Sequence, residues 1–114
     1  MGIRQEGTLM FVEERIYTMA PGNVHPYLNL YGSQGLPVAA PILGNNLLGM
    51  FYSEIGDLNT VVSLFSYQSL DERQKRRAEL VKAPEWQAYA KQAQPLVMRQ
   101  QNRILVPASF SPIR

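Results

Sequence analysis

Two neighbouring apolar runs leave this chain no side for water, and that restricts its folds more than any other feature. Residues 60–67 read Thr-Val-Val-Ser-Leu-Phe-Ser-Tyr, and residues 47–55 read Leu-Leu-Gly-Met-Phe-Tyr-Ser-Glu-Ile. Both have the β-branched and aromatic content of strands. Side chains alternate along a strand, so a sheet with one wet face needs one polar set in each strand. Here Val61, Ser63, Phe65 and Tyr67 oppose Val62, Leu64 and Ser66, while Leu48, Met50, Tyr52 and Glu54 oppose Leu47, Phe51 and Ile55. Neither strand offers a consistently polar set. The short link through Gly56-Asp57-Leu58-Asn59 should close the two into a hairpin. A large exposed apolar patch marks an interface, so this sheet needs more cover than one copy supplies.

The 114 residues fit one domain, with 1–9 read as an N-terminal extension and 10–114 as the domain. Residues 10–19 form a first strand with Glu13, Arg15 and Tyr17 on one face and Val12, Glu14, Ile16 and Thr18 on the other. It ends at Ala20-Pro21-Gly22, a turn signal. Asn23 can cap a helix in which Val24, Tyr27, Leu28 and Tyr31 share a face. That helix should run irregularly towards Ala40, bending at Pro37, with 41–46 as a connector. Ser69-Leu70-Asp71-Glu72 matches the capping box of another helix. Pro84 suits the first turn of the next, which carries Trp86, Tyr89, Ala90 and Ala93 as its apolar stripe. Pro95 closes it, and 97–106 form the last strand. The apolar tail, 108–114, should pack on something. The order β-α-β-β-α-β is an α+β, ferredoxin-like arrangement: a four-stranded antiparallel sheet with its helices on one face. The simplest cover for the other face is a second copy, sheet on sheet, as a two-fold homodimer.

Several function classes fall away. The chain has no cysteine and one histidine, which excludes disulfides, thiolate chemistry and sites built on two imidazoles; no metal site is expected. A net charge of +2 is well short of a nucleic-acid signature. The dense run Arg73-Gln74-Lys75-Arg76-Arg77, flanked by Asp71, Glu72 and Glu79, reads as a solvated helix face. No run is long enough to cross a bilayer and the first residues lack a secretory pattern, so the cytoplasm is the expected compartment.

The segments Glu13-Glu14-Arg15-Ile16-Tyr17-Thr18-Met19-Ala20-Pro21-Gly22 and Leu48-Gly49-Met50-Phe51-Tyr52-Ser53-Glu54-Ile55-Gly56-Asp57-Leu58-Asn59 resemble the NIPSNAP family. So do Asp71-Glu72-Arg73 with Arg76-Arg77, Pro84-Glu85-Trp86, and Gln101-Asn102-Arg103-Ile104-Leu105. Five segments in one order make the match specific. The resemblance implies a ferredoxin-like protomer whose sheets pair into a dimeric α/β barrel, with ligand pockets between sheet and helices. The wider superfamily includes cofactor-free monooxygenases and haem-degrading proteins, whereas the NIPSNAP branch has no settled chemistry, so no catalytic residue is carried over.

The candidate pocket consists of Arg15, Tyr17, Tyr52, Glu54, Trp86 and Arg103. Arg15 could hold a substrate oxyanion or carboxylate and Tyr17 could donate a hydrogen bond. The structural alternative for the face of Glu13, Arg15 and Tyr17 is an ion pair with Glu54 or Arg103 that orients the sheet or dimer. Tyr52 and Glu54 with Trp86 and Tyr89 could wall an aromatic pocket, though the last two serve equally as core. Asn102 and Arg103 are either satisfied polar residues at a strand end or part of the pocket. His25, the sole imidazole a haem could use, follows a turn and reads as a surface residue. No cofactor is expected. The resulting reading is a homodimeric binder of a small molecule or protein partner rather than an enzyme. Its rival is a cofactor-free monooxygenase or isomerase acting on an aromatic small molecule. An enclosed, polar-lined cavity between sheet and helices with Arg15 or Tyr17 opening into it would favour the rival, and a solid interior would remove it.

Overall fold

Burial alternates residue by residue along the strand Thr60–Tyr67, and this shows which way the sheet faces. Val61, Ser63, Phe65 and Tyr67 are buried, while Val62, Leu64 and Ser66 are only partly so. The odd-numbered set lies under the helices and the even-numbered set on the far side. The computed structural model describes residues 10–114, and the extension read at 1–9 lies outside them. The strands are β1 (Phe11–Met19), β2 (Leu47–Tyr52), β3 (Thr60–Tyr67) and β4 (Val97–Leu105), in the spatial order β2-β3-β1-β4. Every pairing is antiparallel, so the ferredoxin-like α+β fold expected from the element order is the one observed. Across β1, Glu13 lies opposite Phe65, Arg15 opposite Ser63 and Tyr17 opposite Val61. On the other side Arg15 meets Asn102 and Tyr17 meets Gln100.

Two strands carry a bulge. Leu48 is the extra residue in β2, between the Leu47–Phe65 and Gly49–Leu64 pairs. It corrects the expected alternation: Leu47 joins Met50 and Tyr52 on the helix side, and Gly49 and Phe51 turn to the far side. At Gly49 an added Cβ would fall 2.6 Å from the Phe51 ring, so the missing side chain is what lets that ring lie flat on the sheet. Met98 is the extra residue in β4, between the Thr18–Arg99 and Met19–Val97 pairs. β2 stops at Tyr52, so Ser53 to Ile55 belong to the hairpin link rather than to the strand.

The helical layer comprises α1 (Val24–Leu30), α2 (Leu36–Leu43), α3 (Leu70–Lys82) and α4 (Pro84–Ala93). The irregularity expected after Tyr31 is a π-helical turn, Tyr31–Gly35. Pro37 has no N–H to give Ser33, and the ladder widens to a bond from Leu36 N–H to Tyr31 C=O. Helix then resumes through Pro41 to Leu43, further than the connector read at 41–46 allowed. Asn23 makes no side-chain cap. The Ser69 cap forms, its hydroxyl accepting from Glu72 N–H at 3.0 Å, while Glu72 reaches back one residue beyond it, to Gln68 N–H at 2.7 Å.

The two core groups lie between sheet and helices, centred on Met19, Tyr27, Tyr31, Val61 and Tyr89 and on Ala39, Leu43, Phe65, Tyr67 and Leu80, while Val12 is buried on the far side of β1. No described helix crosses the far face, which presents Ile16, Val62, Leu64 and Phe51 beside an Arg103–Glu14 ion pair. β4 is exposed along nearly its whole length, and beyond it Val106 and Phe110 are exposed as well. No helix among the described residues is long and apolar enough to cross a membrane.

Candidate functional site

Strand alternation places Glu13, Arg15, Tyr17 and Met19 in one row beneath the helices, and the polar members of that row form a connected cluster. The Glu13 side chain is 0% exposed. It accepts from Arg15 Nη1 at 2.9 Å, Arg73 Nε at 3.0 Å and Nη2 at 2.8 Å, and Asn102 Nδ2 at 2.8 Å. Burial alone would raise its pKa. The Arg73 and Asn102 hydrogen bonds and the Arg15 charge overcome this and lower it from 4.5 to about 2. Arg15 in turn donates to the Tyr17 hydroxyl from Nη2 at 2.8 Å and Nε at 3.3 Å. Burial opposes its charge, but Tyr17 and Glu13 outweigh that and raise its pKa.

Above this row the sheet and helices do not close. A cavity of about 520 Å³ lies between them, within the range of small-molecule sites. Arg15, Tyr17 and Ser63 line its sheet side, and Tyr27, Tyr31, Trp86 and Tyr89 line its helical side. The rings touch one another, with Trp86 and Tyr89 centroids 4.8 Å apart and Tyr31 and Tyr89 6.0 Å apart. Gly35 is what lets α4 come so close: a Cβ there would lie 2.9 Å from the Tyr89 ring. Burial, partly opposed by Arg77, pushes the Tyr31 phenol up to about 12. Burial also takes Tyr89 to about 12 and raises Tyr27. These three phenols therefore stay protonated near neutrality.

Of the six residues expected to share a pocket, Arg15, Tyr17 and Trp86 line this cavity. The other three are elsewhere. Arg103 projects from the far face, where it pairs with Glu14, because it is one residue out of phase with Asn102. Glu54 is exposed in the hairpin link. Tyr52 sits at the sheet edge, its ring 5.0 Å from His25, which is itself exposed. The ion pairs of the sheet's helix-side face therefore join Glu13 to Arg15 and Arg73, with neither Glu54 nor Arg103 taking part.

The basic run also needs correction. Arg73 enters the Glu13 cluster, and Arg76 donates to Ile42 C=O at 3.1 Å and pairs with Glu72. Arg77 lines the cavity with its guanidinium 5.9 Å from the Phe65 ring centre. Residues at i, i+3 and i+4 share one side of a helix, and that spacing was the available signal that 73, 76 and 77 turn together towards the sheet. Among the described residues no three His, Asp or Glu side chains come together as metal ligands.

Comparison with known proteins gives a consistent result. The NIPSNAP family model matches residues 12–112. The chain is 26% identical over 102 residues to Protein NipSnap homolog 1 of Danio rerio, covering 90% of this chain but 36% of that protein. It therefore spans about a third of the length of that relative. A solved NIPSNAP family protein from Agrobacterium tumefaciens is 44% identical, with a TM-score of 0.89 over 92% of this chain and 99% of the other. More distant structures share the fold alone. One, from an uncultured marine organism, is described as a dimeric ferredoxin-like protein (14% identity, TM-score 0.69, 99% of both chains). Another, from Chloroflexus aurantiacus, carries the name of an antibiotic biosynthesis monooxygenase (14% identity, TM-score 0.59, 92% of this chain and 99% of the other).

Proposed function

The chain belongs to the NIPSNAP family, and we propose that it works as a homodimer whose protomers each bind a small molecule between sheet and helices. The cavity carries this reading. It is large enough for a ligand of drug size, walled by aromatic rings and supplied with fixed donors from Arg15 and Tyr17. Pairing of two copies through the far face has its support in Val62, Leu64 and Phe51, and in the marine relative's description as dimeric.

Binding is favoured over catalysis by what lines the space. A general base needs a pKa near the working pH. The carboxylate beneath Arg15, Glu13, is held near 2 and accepts four hydrogen bonds, and His25 is exposed beside Tyr52. The second reading is a cofactor-free monooxygenase- or isomerase-like enzyme acting on an aromatic small molecule. It draws support from Arg15 and Tyr17 opening into a cavity and from the Chloroflexus protein's name. Such a substrate would have to arrive already ionised.

The test is a thermal-shift screen of small molecules followed by direct titration of the hits. Arg15→Ala and Tyr17→Phe should each weaken a hit about tenfold or more, by loss of a buried charge-assisted or neutral hydrogen bond, with the circular dichroism spectrum unchanged. Unaltered affinity in both variants would overturn the proposed site. Oxygen uptake or isomerisation of a hit would establish the second reading instead.

A further inference from the structure

The charges around the cavity do not balance. Arg15 and Arg77 line it and no acidic residue does; Arg99, at its border, is in register with Thr18 of the far face. Beneath it one carboxylate, Glu13, serves two guanidiniums, Arg15 and Arg73. Glu13 with Arg15, Arg73 and Arg77 thus totals one negative charge against three positive, and the surplus faces a space walled by rings. The Arg77 guanidinium makes no hydrogen bond or ion pair to any described side chain or carbonyl; it lies over the Phe65 ring instead. Of the five N–H groups of Arg15, three are engaged by Glu13 and Tyr17, leaving one on each terminal nitrogen. The two arginines come from opposite layers, Arg15 from β1 and Arg77 from α3.

We infer that the cavity takes an organic anion, a flat apolar body carrying one carboxylate or similarly acidic oxygen, held between Arg15 and Arg77. The inference rests on the reading that the cavity holds a small molecule, and it adds the chemical class. Guanidinium N–H groups form their strongest hydrogen bonds to ionised oxygens, and the apolar ring walls reduce the screening such a pair would meet in bulk water. The tyrosine and tryptophan rings suit a planar body, which can stack or meet them edge-on.

Two fluorescent probes of one shape separate the outcomes: anthracene-9-carboxylate and the neutral anthracene-9-methanol, titrated against the full chain. The carboxylate should bind at least about tenfold tighter than the alcohol, the difference expected of one charge-assisted hydrogen bond. Arg77→Gln should remove most of that preference by weakening the carboxylate alone, and Arg77→Lys should restore part of it. Equal affinities in the wild type would overturn the anion while leaving the binding cavity standing. An unchanged preference in Arg77→Gln would overturn the role of Arg77. Failure of both probes to bind a chain with a native circular dichroism spectrum would count against the anion and the binding cavity together.

Discussion

Glu13 is the residue on which the sheet side of the cavity depends. Its carboxylate holds Arg15 in place on β1 and ties β1 to α3 through Arg73. An acid bound more tightly folded than unfolded stabilises the fold only while it is ionised. Its pKa falls from 4.5 to about 2, so the contribution is complete above about pH 4.5 and is lost as pH drops towards 2. The shift corresponds to about 3 kcal/mol. Urea denaturation of the wild type should show stability falling across that window, and Glu13→Gln should flatten the dependence. The same substitution should cost about 3 kcal/mol at neutral pH, because it leaves two buried or half-buried guanidiniums without their counter-ion. The common face of Glu13, Arg15 and Tyr17 was legible from period-two alternation alone. Arg73 was not, since its partner lies 60 residues away and a run of five mostly basic residues looks like a wet surface until the helix is rotated against the sheet.

At the scale of elements, regular periodicity was readable and interruptions to it were not. All four strands fell close to their expected places, and the Ser69 cap set the start of α3. The two bulges each add one residue to a ladder, which no pattern of apolar residues announces, and the one at Leu48 moved Leu47 onto the face of Met50 and Tyr52. The break in the first helix was signalled by Gly32, Gly35 and Pro37, yet its form as a π-helical turn follows from Pro37's missing donor. The two glycines of that turn make a clean comparison. Nothing lies within 4 Å of a Cβ at Gly32, whereas at Gly35 the Tyr31 and Tyr89 rings stand at 2.8 and 2.9 Å. Gly32→Ala should leave stability unchanged or raise it by about 0.5 kcal/mol through loss of unfolded-state freedom. Gly35→Ala should lower it by about 1–3 kcal/mol through overpacking. Thermal and urea melts of the pair would measure the difference.

For the whole molecule, the expectation that one copy cannot cover both sides of the sheet agrees with the placement of every described helix on one side. What it missed is that the uncovered side is not uniformly apolar: Arg99, Gln101 and Arg103 of β4 alternate onto it beside Glu14. The proposed interface is therefore an apolar strip over β3 and β2 bordered by charge. Leu64 lies in that strip, only partly buried. Leu64→Asp should shift sedimentation from a particle of two 12.9 kDa chains to one, since a buried unpaired carboxylate is incompatible with close packing. A wild type that sediments as a single stable chain would refute the interface.

β4 has a double position. It is the open margin of the sheet, and through Met98 at its bulge and Gln100 it also borders the cavity. A partner packed on the far face would back this strand through Arg99, Gln101 and Arg103 and so steady one jamb of the ligand's doorway. Assembly and occupancy would then be reciprocal: dilution would loosen the guest, and the guest would hold the pair together.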